Sequence, residues 1–156
     1  QLSRKPRLHA DYPALADALA RHRDSELTPQ AVFDAVVNIR RSKLPDPAVE
    51  PNAGSFFKNP LVSADQARQL QEKFPALPSY PQADGQAKLA AAWMIEHCGW
   101  KGYREDDIGV HPDHALVLVN YGNNSGERLL SLASEIAVTV ADTFGLQLVI
   151  EPRVYG

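Results

Sequence analysis

The most informative stretch of this chain is Asn52-Ala53-Gly54-Ser55-Phe56-Phe57-Lys58-Asn59-Pro60. It places one hydroxyl beside a glycine, two aromatic rings, an ammonium group and an amide. Glycine lets the backbone approach a ligand closely, and the rings can exclude water from that ligand. A turn that enters a strand and buries one of the two phenylalanines needs similar residues. Composition alone favours this structural interpretation over a binding loop.

Prolines separate this stretch from the residues before it. Pro45, Pro47 and Pro51 make a stiff, extended connection in which a helix cannot continue. We therefore predict a domain boundary there, with residues 1–50 on one side and residues 51–156 on the other.

Hydrophobic periodicity and capping residues predict mainly helices on both sides of the boundary. The predicted helices run from Asp11 to Arg23, from Pro29 after a Thr28 cap, from Ala64 to Phe74, from Lys88 to His97 and from Ser125 to Phe144. The predicted strands are Leu116 to Asn120 and Leu146 to Ile150, and residues 75–86 are predicted to be an ordered loop because they hold three prolines and a glycine. This pattern predicts an α+β fold with a small open sheet packed with helices.

Bulk composition excludes several classes of protein. The 156 residues, 44% of them hydrophobic, suffice for one ordinary domain, or for a small domain plus a piece of another. The net charge of -3 argues against a general nucleic-acid binder. Cys98 is the only cysteine, which excludes an intramolecular disulfide and a two-cysteine metal site. No apolar run approaches the roughly 20 residues that cross a bilayer, so no membrane partner is predicted.

Six segments, in this order, resemble the flavin-dependent UDP-N-acetylenolpyruvoylglucosamine reductases of cell-wall synthesis. They are Arg41 to Pro47, the stretch from Asn52 to Pro60, Ser79 to Gly85, Lys88 to Ile95, Ala115 to Asn120 with His111 before it, and Ile150 to Pro152. The resemblance extends over most of the chain from about Thr28 onward. Several long motifs in order are far more specific than a single short one.

The resemblance implies that this chain is the C-terminal part of a longer enzyme. The flavin-binding region of the family precedes the matched segments, and nothing in the chain matches it. Residues 1–50 are then the end of that region with a linker, and residues 51–156 are the substrate-binding domain with its terminal catalytic strand. The missing N-terminal part becomes the expected partner, and the isolated fragment is expected to be inactive.

The resemblance also implies the reaction. The parent enzyme would use FAD and NADPH to convert UDP-N-acetylglucosamine enolpyruvate to UDP-N-acetylmuramate for peptidoglycan, in the bacterial cytoplasm. The preference for NADPH comes from the resemblance alone.

Ser55 is the proton donor that the resemblance implies. In the family, reduced flavin delivers hydride to the enolpyruvyl double bond, and this serine protonates the adjacent carbon of an enolate-like intermediate. A hydroxyl is a weak acid in water, so it acts only against a strongly basic carbon held at contact distance. The structural alternative is a turn serine that bonds its own backbone.

Glu151, in Ile150-Glu151-Pro152, is implied to assist this protonation or to steady the intermediate. A carboxylate at that position could be partly desolvated and able to act as an acid. From the residues alone, the first exposed residue after an apolar strand is the favoured interpretation.

Lys43, Asn59 and Tyr80 are implied to hold the uridine diphosphate end of the substrate. Ammonium groups pair with phosphate, an amide can donate to it, and a tyrosine can close over a nucleotide. The corresponding structural alternatives are a cation at a helix end, a turn before proline, and a ring that anchors a proline-rich loop.

Lys101 and His114 are weaker candidates for substrate binding. Some relatives carry an amide where His114 stands, which puts that contact in doubt. His111 and His114 could form a metal-ligand pair, but no third ligand is evident, and a surface role is favoured.

The alternative to the whole enzyme interpretation is a free-standing α+β interaction module that binds a partner through residues 75–86. Such a module should pack Gln1 to Leu8, whereas a fragment should leave them loose.

Overall fold

The computed structural model describes residues 8–20, 27–122 and 125–155 of the chain, with the side chain of Lys43 excepted. The chain forms two compact units, Gln1–Asp46 and Pro47–Gly156, which divide within the predicted proline-rich connection. Seven of the eight residues from Gln1 to Leu8 lie outside the described part, so their predicted looseness is not tested.

The first unit is a pair of helices that pack on each other, α1 (Pro13–Leu19) and α2 (Pro29–Lys43). Leu15 and Leu19 form the buried side of α1. The helix begins at Pro13 and ends at Leu19, and so does not start at the predicted Asp11; residues 21–23 of the predicted helix lie outside the described residues. The predicted start of α2 is confirmed, because the hydroxyl of Thr28 accepts a hydrogen bond from the backbone N–H of Ala31 at 3.2 Å.

The second unit contains seven short strands and three helices among its described residues. In chain order they are β1 (Asn52–Ser55), β2 (Leu61–Ser63), α3 (Ala64–Lys73), β3 (Ser79–Pro81), β4 (Gln86–Leu89), α4 (Ala91–His97), β5 (Arg104–Glu105), β6 (Ile108–Val110), β7 (Val117–Asn120) and α5 (Gly126–Phe144). The strands form two antiparallel sheets, one in the order β1-β7-β6-β5 and one in the order β2-β4-β3. The predicted α+β class is confirmed, with two small sheets in place of the single one expected.

Helix ends in this unit follow local chemistry. The hydroxyl of Ser63 accepts from the backbone N–H of Gln66 at 3.1 Å and so caps α3. Gly145 ends α5 in the left-handed conformation at φ +68°, which glycine adopts without strain. The predicted helices at Ala64 and Ser125 are therefore confirmed, each within one residue of its predicted end.

Three predictions in the second unit are wrong. Residues 75–86 are not a loop throughout, because β3 lies within them and joins β4 through a tight turn in which Asp84 and Gly85 both have positive φ. The helix predicted from Lys88 starts only at Ala91, since Lys88 belongs to β4. The strand predicted at Leu146 to Ile150 forms a single antiparallel bridge, between Phe57 and Ile150.

The two faces of the larger sheet have different environments. Leu118 on β7 and its neighbour Val110 on β6 join the main core, and α5 packs against both strands. Val117 and Val119 are also buried but point to the opposite face, since side chains alternate along a strand. Ser55 pairs with Val117 and lies on this second face, away from α5.

Candidate functional site

A one-residue bulge in β1 determines where Ser55 points. Asn52 pairs with Val119 and Ser55 pairs with Val117, so three steps along β1 match two along β7. Without the extra residue, strict alternation would place Ser55 on the face opposite Asn52. With it, Ser55 lies on the same face as Val117 and Val119, away from α5.

The hydroxyl of Ser55 is available for chemistry. Its side chain is exposed and makes no hydrogen bond with any residue in the described ranges 8–20, 27–122 and 125–155. Gly54 precedes it at φ +73°, a conformation that a residue with a Cβ rarely adopts. Ser55 is therefore not a turn serine bonded to its own backbone, and it follows the glycine that makes the bulge possible.

The segment that carries Glu151 runs beside this stretch. The backbone N–H of Glu151 donates to the carbonyl oxygen of Phe56 at 2.9 Å, and the N–H of Lys58 donates to the carbonyl of Val149 at 2.8 Å. These two hydrogen bonds flank the Phe57–Ile150 bridge. Glu151 is exposed, and its carboxylate has no partner in the described part of the chain.

Both phenylalanines of the stretch are buried, with Phe56 5% exposed and Phe57 1% exposed. Their rings meet edge to face, with the centroids 5.5 Å apart. The hydroxyl before them and the polar groups after them are exposed. The structural interpretation of these rings, which composition alone favoured, is confirmed, and it is compatible with a site at Ser55.

Asn59 has a structural role that was not predicted. Its side-chain oxygen accepts a hydrogen bond from the backbone N–H of Ala91 at 2.9 Å, at the start of α4. The first N–H groups of a helix have no partner within the helix, so this contact satisfies one of them. The NH₂ group of Asn59 keeps no partner among the described residues and can still donate to a ligand.

Tyr80 lies directly opposite Lys88 across β3 and β4, so their side chains share a face of the smaller sheet. The side chain of Tyr80 is 52% exposed. Lys88 is half-buried, and its ammonium group has no acidic partner in the described ranges. On its other side, Lys88 is paired with the exposed Leu61. The sequence interpretation missed Lys88 because it assigned this residue to a helix.

The remaining predicted binding residues are placed as follows. Lys43 is the last residue of α2, in the first unit, and its side chain lies outside the described part. Lys101 follows α4 and pairs with Glu96 at 3.0 Å between Nζ and Oε1. His114 stacks on His111 with ring centroids 4.9 Å apart. No described contact joins any of the three to Ser55.

His111, the first member of the histidine pair, has polar contacts within the protein. His111 accepts from the backbone N–H of Asp113 through Nδ1 at 3.1 Å, and its Nε2 lies 3.5 Å from a carboxylate oxygen of Glu50. With one ring nitrogen already an acceptor, the imidazole has its proton on the nitrogen that faces Glu50. The described residues contain no group of three or more metal-ligating side chains.

Two tyrosines near this region have altered acidity. Burial raises the pKa of Tyr121, the carboxylate of Glu50 raises it further, and Arg104 opposes the shift. The guanidinium carbon of Arg104 lies 4.0 Å from the centre of the Tyr121 ring. Burial likewise raises the pKa of Tyr103, with contributions of the same sign from acidic neighbours. Both tyrosines are therefore neutral over the physiological pH range.

A cavity of about 410 Å³ adjoins the far end of the stretch. Lys58 and Asn59 form one part of its lining, and Gln147 and Val149 form another. The cavity thus lies between the same two segments that the Phe57–Ile150 bridge joins.

No helix in the described part of the chain is long and apolar enough to cross a membrane.

Comparison with known proteins gives a consistent result. The family described as "UDP-N-acetylenolpyruvoylglucosamine reductase, C-terminal domain" matches residues 46–155. Relatives with the name UDP-N-acetylenolpyruvoylglucosamine reductase align with nearly the whole chain. The protein from Pseudomonas putida is 50% identical over 154 residues, which is 99% of this chain and 45% of the relative. The protein from Chromobacterium violaceum is 51% identical over 154 residues, with the same two shares.

A third relative, from Xanthomonas euvesicatoria pv. vesicatoria, is 53% identical over 151 residues, which is 96% of this chain and 43% of the relative. The chain therefore spans slightly less than half the length of the relatives it matches.

Proposed function

Because this chain belongs to the UDP-N-acetylenolpyruvoylglucosamine reductase family, whose C-terminal domain it matches, we propose that it supplies the proton donor and the nucleotide-binding surface of such an enzyme. The whole enzyme would reduce UDP-N-acetylglucosamine enolpyruvate to UDP-N-acetylmuramate for peptidoglycan, in the bacterial cytoplasm. Residues 1–50 would belong to the end of the flavin-binding region and its linker, and residues 51–156 to the substrate-binding domain.

The described residues around Ser55 offer a hydroxyl, a carboxylate and two buried rings, which suit the movement of a proton and the exclusion of water. We therefore assign FAD and NADPH to the part of the relatives that this chain does not match, and that part is its proposed partner. When bound there, the reduced flavin supplies the hydride.

The proposed role of Ser55 is to protonate the substrate carbon next to the one that is reduced. The O–H bond of the serine breaks as the new C–H bond forms, and the resulting alkoxide regains a proton from solvent. The single observation that carries this proposal is the bulge in β1, which directs an unpaired hydroxyl to the face away from α5. A hydroxyl that the protein does not already bind is free to meet a basic carbon.

The proposed role of Glu151 is to assist Ser55. Its backbone N–H is hydrogen-bonded to the carbonyl oxygen of Phe56, so Glu151 lies in the segment that pairs with the residues after Ser55. In its protonated form, the carboxyl group there can return a proton to the alkoxide, or donate a hydrogen bond to the intermediate. This carboxylate has no partner in the described part of the chain, so it is available for either role.

The nucleotide end of the substrate is proposed to bind Lys43, Asn59 and Tyr80. The free NH₂ group of Asn59 and the exposed ring of Tyr80 support this. Lys88, opposite Tyr80, adds a cation on the same face of the sheet. Lys101 and His114 are proposed only as contacts at the edge of the substrate site. Lys101 must break its ion pair with Glu96 to reach a ligand.

Family membership favours this enzyme over the free-standing interaction module. The test is to join the chain to the N-terminal part of the Pseudomonas putida relative and to measure turnover of this chimera. Ser55→Ala should lower kcat by about 10²–10⁴-fold, the usual contribution of a general acid. Ser63→Ala is the control: it removes the α3 cap, so it should lower thermal stability without lowering kcat. Unchanged turnover in Ser55→Ala would refute the proton-donor role.

A further inference from the structure

We infer that Asn52 is a positioning residue for Ser55, because its side chain holds the β1 bulge that directs the serine hydroxyl to the face away from α5. This inference rests on the proposed function of Ser55. It concerns a residue three positions before the serine whose side chain need not touch the substrate.

The carboxamide of Asn52 bonds the backbone on both sides of itself. Its NH₂ group donates to the carbonyl oxygen of Glu50 at 2.7 Å, and its oxygen accepts from the backbone N–H of Gly54 at 2.9 Å. Both ends of one side chain are thus used to hold residues 50–54 in a fixed curve. Hydrogen bonds from an asparagine to the N–H two residues later are typical of turns.

The bulge needs this support because its extra residue has no partner residue opposite it on β7. On one side, the N–H of Asn120 donates to the carbonyl of Pro51 at 3.0 Å. On the other side, the N–H of Phe56 donates to the carbonyl of Leu116 at 2.7 Å. Between these two hydrogen bonds, the side chain of Asn52 provides an acceptor for the N–H of Gly54.

Loss of the Asn52 hydrogen bonds should change the orientation of the Ser55 side chain more than it weakens the pairing of β1 with β7. The ties at Pro51 and Phe56 use backbone atoms and survive a side-chain substitution. Between these two backbone hydrogen bonds, loss of the Asn52 contacts would leave residues 52–55 free to adopt other backbone conformations, so the serine hydroxyl would no longer be held in one direction. Even partial loosening should lower the fraction of molecules that hold the serine in place.

The test is a double-mutant cycle in the chimera with the N-terminal part of the Pseudomonas putida relative. Asn52→Ala should lower kcat by about 10- to 100-fold, the scale of a misplaced catalytic group, and leave KM within about threefold. Asn52→Asp should lose less, because a carboxylate can still accept from Gly54 but cannot donate to Glu50. In a Ser55→Ala background, Asn52→Ala should change kcat by less than about twofold, since there is no hydroxyl left to position.

A purely structural role predicts a different pattern. Gln71→Ala is the matched control, because the Gln71 side chain also donates to a backbone carbonyl, that of Leu77 at 3.0 Å. It should lower thermal stability about as much as Asn52→Ala does, with kcat unchanged. If Asn52→Ala lowers kcat by the same factor with and without Ser55, or does not lower it at all, the positioning role is wrong. If Ser55→Ala alone leaves kcat unchanged, the proposed function of Ser55 fails, and this inference fails with it.

Discussion

The backbone N–H of Glu151 lies 2.9 Å from the carbonyl oxygen of Phe56, the residue that follows Ser55. One hydrogen bond therefore links the segment of the proposed acid to the segment of the proposed proton donor. The adjacent bridge between Phe57 and Ile150 fixes the register of the two segments. The site consequently depends on a contact between residues far apart in the chain, which neither segment could form alone.

Glu151→Gln should lower the kcat of the chimera while leaving its thermal stability unchanged. The carboxylate has no partner in the described part of the chain, so its loss removes no described contact. A loss of about tenfold or more fits an assisting acid–base group. Glu72→Gln on the exposed side of α3 is the control and should match the parent in both measurements. Equal turnover for both variants would argue against the assisting role.

Gly54→Ala should destabilise the chain by about 1–2 kcal/mol, the cost of a left-handed conformation for a residue with a Cβ. No atom lies within 4 Å of the added methyl group, so steric overlap contributes nothing. Gly126→Ala is the matched control, with equal space but an ordinary helical backbone, and should not destabilise. Denaturant unfolding measures both. If the two variants lose the same free energy of unfolding, the bulge conformation is wrong.

Asn59→Ala and Asn59→Asp should separate the structural role of this residue from its proposed binding role. The alanine variant loses the acceptor for Ala91 and should unfold about 1 kcal/mol more easily, whereas aspartate keeps an acceptor at the helix start. Both variants lose the NH₂ group, and aspartate adds a negative charge, so both should bind UDP more weakly. Thermal unfolding and calorimetry with UDP test the two parts. Full UDP affinity in Asn59→Asp would exclude a contact with the phosphates.

Lys88→Ala should weaken UDP binding by about tenfold, equivalent to ~1.4 kcal/mol. Lys88 faces the same side of the sheet as Tyr80, and its ammonium group pairs with no acid in the described ranges. Lys73→Ala, at the exposed C-terminal end of α3, removes the same charge elsewhere and should leave the affinity unchanged. Calorimetry in low salt compares the two. Equal affinities would remove Lys88 from the proposed nucleotide surface.

Local signals in the sequence predicted most of the helices but, of the seven strands among the described residues, only β7. Thr28, Ser63 and Gly145 each specify a helix end through contacts with near neighbours, so their positions could be predicted directly. The short strands depend on partners distant in the chain, and their three or four residues give too little alternation to recognise. The Asp84-Gly85 turn was a usable hairpin signal, but the surrounding prolines favoured a loop.

The sequence suggests residues for the candidate site but not the geometry around them. Ser55 and Glu151 were proposed through ordered motifs that resemble the family. The bulge could not be predicted, because it is a mismatch between β1 and β7 and appears only when both are paired. The contact of Asn59 with Ala91 crosses 32 residues and leaves no local pattern. Asn52, two residues before a glycine, is the one structural role that a turn signal could have indicated.

The most direct test of the account is a single-turnover experiment on the chimera with Ser55→Ala. Reduced flavin is mixed with UDP-N-acetylglucosamine enolpyruvate, and the rates of flavin reoxidation and of product formation are followed separately. If Ser55 donates the proton, product formation should slow by about 10²-fold or more. Flavin reoxidation should slow less, because hydride transfer does not use the hydroxyl. Product formation at the parent rate would contradict the central claim that the β1 bulge presents the proton donor.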